Sequence, residues 1–230
     1  MSAEREHPRV PYAVEVEFRT ASSFLVAYSV NLSRGGLFLE TEADVPVGSE
    51  IGLKFAVPGA GALDLFGRVA WKRGRESPDG PPGLGIEFED VAQTLGGTID
   101  RLVGGYDGVS ILLLSADRTD RNSLTRLIRS IMSTAEVVSA SDAKVAETLL
   151  TGDVDLAVID VDAEPEGALG ALRAAKLVTP PIPTVALASS KKLREHARAA
   201  GADEVATNPP PFGELQVLLV RALGRPLAVR

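Results

Sequence analysis

The sequence predicts two domains of different class. The first is a six-stranded antiparallel β-barrel with a C-terminal capping helix. The second is a doubly wound α/β domain around a five-stranded parallel sheet. Three observations lead there. Between residues 10 and 88, short alternating runs are separated by turn signals at close spacing, as in a small closed barrel. Gly104-Gly105-Tyr106-Asp107-Gly108 then breaks the pattern. Beyond it, continuous apolar runs alternate with segments of helical period, the grammar of a parallel sheet covered on both faces. A chain of 230 residues accommodates two such domains.

The elements follow in order. Residues 1–9 are charged. Val10 to Phe18 sets Val14, Val16 and Phe18 against Glu15 and Glu17, a half-buried strand. Phe24-Leu25-Val26-Ala27-Tyr28-Ser29-Val30 and Leu37-Phe38-Leu39-Glu40 read as two strands around the turn Asn31-Leu32-Ser33-Arg34-Gly35-Gly36. Ile51–Val57, Leu63–Trp71 and Leu84–Phe88 complete the six strands. Val91, Leu95, Ile99, Leu102 and Val103 share one face of the capping helix. After the linker, strands are expected at 109–114, 136–138, 156–159, 184–188 and 204–206, with helices between them and a last helix at 215–223. The expected division is 1–104 for the barrel with its arginine-bearing arm, 105–108 for the linker, 109–225 for the α/β domain and 226–230 for a tail.

Composition narrows the chemistry. A net charge of −7 argues against general nucleic-acid binding, which needs a basic surface to displace counterions. The absence of cysteine excludes disulfides, a thiol nucleophile and cysteine-held metal. No apolar run approaches the roughly 20 residues of a membrane helix, and the polar start lacks a signal-peptide core. The expectation is a cytoplasmic protein without a membrane span.

The turn at residues 31–36 gains meaning beside the N-terminal arm. Alone it is an ordinary hairpin turn, and alone Arg5 and Arg9 are a solvated tail. Together, Arg-x-x-x-Arg before a barrel and Asn-x-Ser-x-x-Gly within it form the two-part motif of PilZ domains. Residues 4–104 resemble that family. Further likeness lies in His7-Pro8-Arg9-Val10-Pro11, Gly67-Arg68-Val69-Ala70-Trp71 and Gly83-Leu84-Gly85-Ile86-Glu87-Phe88. The resemblance implies cyclic di-GMP as ligand, with Arg5, Arg9, Asn31, Ser33 and Gly36 as binding residues and Arg34 as an auxiliary phosphate contact. The chemistry agrees with that implication. A guanidinium fork matches guanine O6 and N7, pairs with phosphate and stacks on bases.

Residues 109–225 resemble a response-regulator receiver domain with its chemistry degraded. Asp160, at the end of the third expected strand, occupies the phospho-acceptor position. The acidic pair that would hold magnesium reads Ser115-Ala116, with Asp117 next along. The hydroxyl position reads Ala188 beside Ser189, and the lysine position reads Asn208. The resemblance therefore implies a vestigial Asp160, no metal, and a domain serving as an interaction surface or dimerisation module. A weak metal site built on Asp160 and Asp117 is the rival.

Other features read as structure. Asp160-Val161-Asp162-Ala163-Glu164 has Pro165 where a calcium loop needs glycine. Gly83-Leu84-Gly85 lacks the third glycine of a dinucleotide fingerprint. His7 and His196 have no partner at metal-ligand or triad spacing. Trp71 reads as barrel core or rim, and Lys191, Lys192, Arg194 and Arg198 as a solvated helix face. The expected function is a non-enzymatic cyclic di-GMP receptor that passes ligand binding to protein partners of a signalling or motility system. A nucleotide-independent structural adaptor is the alternative.

Overall fold

The computed structural model describes residues 12–77, 81–88 and 91–229. They divide into two compact units. Residues 12–18, 27–104 and 226–229 form the first, and residues 19–26 and 105–225 form the second.

The first unit is a mixed six-stranded sheet. Its strands are β1 (Tyr12–Glu17), β2 (Gly36–Glu40), β3 (Glu50–Val57), β4 (Gly61–Arg73), β5 (Gly83–Phe88) and β11 (Leu227–Val229), in the order β11-β1-β3-β4-β5-β2. β11 and β2, at the two ends of that order, lie in contact with each other. Strand alternation builds the core: Ile51, Leu53, Phe55 and Val57 are buried on β3, and Leu65 and Val69 on β4. Phe18 and Phe55 meet edge to face with centroids 5.5 Å apart. The helix α2 (Val91–Gly104) buries Val91, Leu95 and Leu102.

Two expectations about this unit are corrected. The sheet is not wholly antiparallel, because β1 runs parallel to β3. Residues 24–30 are not a strand, because they belong to the helix α1 (Ala21–Val30). A continuous apolar run does not distinguish the two states, and here the polar residues before it decide. Thr20 Oγ1 accepts the Ser23 N–H at 3.1 Å, and Ser23 Oγ accepts the Thr20 N–H at 3.1 Å. That reciprocal pair is a capping box, which satisfies two donors at a helix start. The sixth strand comes instead from residues 227–229, read in the sequence as a tail.

The second unit has five parallel strands: β6 (Val109–Leu114), β7 (Ala135–Ala140), β8 (Leu156–Asp160), β9 (Thr184–Leu187) and β10 (Glu204–Ala206), in the order β10-β9-β8-β6-β7. The helices α3 (Arg118–Ile131), α4 (Ala143–Leu149), α5 (Pro165–Leu177), α6 (Lys191–Ala199) and α7 (Phe212–Leu223) connect and follow them. Leu112, Leu114, Ala157 and Ile159 pack into one apolar layer, and Ile111, Leu113, Leu156 and Val158 into the other. This two-sided burial is why the strands read as unbroken apolar runs. It places the ends of β6, β8 and β9 around Asp160.

Candidate functional site

The turn between α1 and β2 is held by its backbone. Asn31 ends α1, donating its N–H to Ala27 O at 2.9 Å. Leu32–Arg34 form one 3-10 turn, with Leu32 fully buried beneath it. The Arg34 N–H reaches Asn31 O at 3.0 Å, and the Gly35 N–H reaches Leu32 O at 2.9 Å. Gly35 has φ of 81°, and its carbonyl accepts the Phe88 N–H at 2.7 Å. A left-handed residue is required there to turn the chain into β2, and glycine takes that conformation without strain. Asn31 makes no capping bond to the turn it precedes, and both Asn31 and Arg34 are exposed. Ser33 sits between them in the turn, and Gly36 opens β2 opposite Glu87. Asn31, Arg34 and Gly36 are thus brought together, while Arg5 and Arg9 lie outside the described residues.

An aromatic platform adjoins the turn. On β2, Leu37 and Leu39 point into the core, which leaves Gly36, Phe38 and Glu40 on the opposite face. Phe38 and Trp71 both register with Gly85. Their rings stack above it, with centroids 5.2 Å apart and planes 10° from parallel. The Arg73 guanidinium lies 4.3 Å from the Phe38 ring centroid, within cation–π range. The glycines of β5 make this possible. A Cβ at Gly85 would stand 2.0 Å from the Trp71 indole nitrogen, and one at Gly83 would stand 2.5 Å from the Phe38 ring. Reading Trp71 as core or rim missed this platform, since the indole is 45% exposed. The signal was present in glycines alternating along a strand that pairs with aromatic-bearing neighbours.

In the second unit, Asp160 is buried at the end of β8 and surrounded by donors. Its Oδ2 accepts from Ser115 Oγ at 2.9 Å. Its Oδ1 accepts from Asn208 Nδ2 at 3.0 Å and from the Asp162 N–H at 3.1 Å. Asn208 Nδ2 also reaches Asp162 Oδ2 at 2.9 Å, and Asp162 takes the Ser189 N–H and hydroxyl, each at 2.9 Å. Burial raises the Asp160 carboxyl above its ordinary range, against the opposing effect of the Asp162 N–H and the Ser115 hydroxyl. Arg121 Nη1 donates to Ser115 O at 2.6 Å, and Arg194 Nη1 donates to Ala188 O at 2.9 Å, tying down the loops after β6 and β9.

The receiver resemblance in the sequence implies a magnesium ion at this position, and the residues around Asp160 do not fit one. Both Asp160 oxygens already face hydrogens from neutral donors. Asp117 is turned to its own helix, where it caps α3 by accepting the Thr119 and Asp120 N–H groups at 2.7 and 2.9 Å. Those bonds hold its carboxyl below the usual range. Among the described residues, no group of three or more acidic or histidine side chains is placed to hold a metal. Sequence reasoning had treated Asn208 only as a missing lysine; its amide bridging Asp160 and Asp162 was not foreseen.

Residues 3–105 match the family model described as the PilZ domain. Solved receiver domains resemble the C-terminal part. One comes from a DNA-binding response regulator of Colwellia psychrerythraea, at 22% identity over 48% of this chain and 94% of that one, with a TM-score of 0.43. Another belongs to a sensor histidine kinase of Pseudomonas aeruginosa and holds magnesium in its active-site cleft. It is 22% identical over 51% of this chain and 98% of that one, with a TM-score of 0.46. A response regulator of Chloroflexus aurantiacus gives 18%, 51%, 99% and 0.47. No curated protein matches the sequence. Among the described residues, no helix is long and apolar enough to cross a membrane.

Proposed function

We propose that the chain is a non-enzymatic cytoplasmic receptor for cyclic di-GMP, with the PilZ sheet closed as a barrel and the second unit serving as a pseudo-receiver for protein partners. The observation that carries this reading is an exposed turn that leads directly into a strand bearing an aromatic platform. The Asn31–Gly36 turn presents an uncapped amide, a cation and an open backbone, Phe38 follows on β2, and Trp71 and Arg73 of β4 pack on its ring. A ligand with two phosphates and two purines calls for that combination of polar edge, positive charge and flat apolar surface. Arg5 and Arg9 supply the second half of the grip from the arm before β1. The self-satisfied hydrogen bonds around Asp160 support a receiver-like unit that works by contact instead of phosphoryl transfer.

Isothermal titration calorimetry with cyclic di-GMP tests the reading. Binding is expected with tens of micromolar protein, and Arg5→Ala combined with Arg9→Ala is expected to abolish it. No heat from the wild-type protein would leave the nucleotide-independent adaptor, a reading that the closed Asp160 network favours.

A further inference from the structure

The outer face of the first unit carries two rows of residues across three neighbouring strands. β4, β5 and β2 lie side by side, and their registers fix the rows. Arg68, Glu87 and Gly36 form one row, and Trp71, Gly85 and Phe38 form the next. Both stand on the side away from the core, because the intervening Leu37, Val69 and Ile86 are buried. An extra residue at Ala70 shifts the register between Val69 and Trp71, and so brings the indole onto the face that bears Arg68.

The second row is the aromatic platform. Arg73 lies 4.3 Å from the Phe38 ring centroid and 5.6 Å from that of Trp71, so the flat surface left open belongs to the indole. The first row is charged. Glu87 and Arg68 are opposite each other and exposed, and neither side chain makes a hydrogen bond or an ion pair among the described residues. Along β5 the rows are two residues apart, about 6.5 Å, so a base resting on the indole brings its edge over the charged row.

A free carboxylate beside a free guanidinium matches one molecular edge. The Watson–Crick edge of guanine presents two adjacent donors, N1–H and the N2 amino group, and then the acceptor O6. A carboxylate accepts both donors, and a guanidinium donates to O6. Adenine offers a bare N1 and an N6 amino group at that edge, and a bare N1 repels a carboxylate. Stacking alone does not separate the two bases, since every base has a π-face. We infer that Glu87 is the guanine-selecting residue of the first unit: the base stacks on Trp71, Glu87 accepts its N1–H and N2–H, and Arg68 donates to its O6. The inference deepens the receptor reading above and rests on it for the ligand. Glu50, which faces Arg68 from the β3 side, is one strand further from the base and serves as the control.

Trp71 is the only tryptophan, so a base stacked on it is read as fluorescence quenching. The full chain is titrated with cyclic di-GMP and with cyclic di-AMP, followed by fluorescence and by calorimetry. The wild type is expected to quench with cyclic di-GMP and to bind it about tenfold or more tightly than cyclic di-AMP. Glu87→Gln should weaken cyclic di-GMP about tenfold, leave cyclic di-AMP unchanged and keep the wild-type Tm. Glu50→Gln should change none of these. A wild type without preference, or a Glu87→Gln protein that keeps the wild-type ratio, overturns the inference and leaves the receptor reading intact. Calorimetric binding without quenching does the same. An equal loss in Glu50→Gln makes the effect one of charge alone and also overturns it. A wild type that gives neither heat nor quenching with either nucleotide ends the receptor reading and this inference together.

Discussion

Asn31 and Asp160 illustrate opposite fates for a polar side chain. Asn31 is exposed and makes no cap bond, so removing it should leave the fold unchanged. One lost hydrogen bond is worth about 0.5–1.5 kcal/mol, so Asn31→Ala should weaken cyclic di-GMP binding roughly two- to tenfold with Tm unchanged. An unaltered dissociation constant would remove Asn31 from the site. Asp160 is buried, and burial raises its carboxyl above the ordinary value of 3.8. The folded state therefore holds that proton more tightly than the unfolded chain. The contribution of this group to stability is greatest below the ordinary value, falls as pH rises through the window up to the raised value, and is flat above it. Asp160→Asn removes that part of the slope. An amide oxygen still accepts from Asn208 and Asp162, and the Ser115 hydroxyl turns to accept instead of donate. Near neutral pH the variant should match the wild type or exceed it by about 1 kcal/mol, which is roughly 2–4 °C in Tm. A fall of several degrees would show that the network needs the ionised carboxylate.

At the level of elements, the ends of β6, β8, β9 and β10 decide whether the second unit is a phosphoryl acceptor. The Asp160 carboxylate sits at the end of β8, where the loop after β6 supplies a serine hydroxyl and the loop after β10 supplies an amide. Nothing in this set neutralises an incoming phosphoryl group. Intact mass after incubation with acetyl phosphate and magnesium should therefore show no added phosphoryl group. An adduct that disappears in Asp160→Asn would show that Asp160 still accepts a phosphoryl group. The strands of this unit were legible because each is buried on both faces and is therefore written in apolar residues throughout. Leu156-Ala157-Val158-Ile159 admits no other placement in an alternating chain. Residues 24–30 were illegible for the matching reason: Phe24, Val26 and Ala27 suit a strand or a buried helix equally, and the decision lies with Thr20 and Ser23. The turn at 31–36 was legible because glycines and short polar residues name their own geometry. The Phe38–Trp71 platform was not, since it arises from cross-strand register at Gly85.

On the scale of the whole molecule, the acidic balance of −7 argues against general nucleic-acid binding. Under the proposed function, an anionic ligand meets local cations: Arg34 and Arg73 in the first unit and, by sequence, Arg5 and Arg9. The order of the strands has a consequence during synthesis. β1 is made early, but its edge partner β11 lies 210 residues later, counting from Glu17 to Leu227. At translation rates of about 5–20 residues per second, that edge stands open on the nascent chain for roughly 10–40 s. An unpaired strand edge is a template for foreign pairing. Glu15 and Glu17, two negative charges flanking Val16 on β1, suit an edge that must stay solitary on the ribosome until its own last strand emerges.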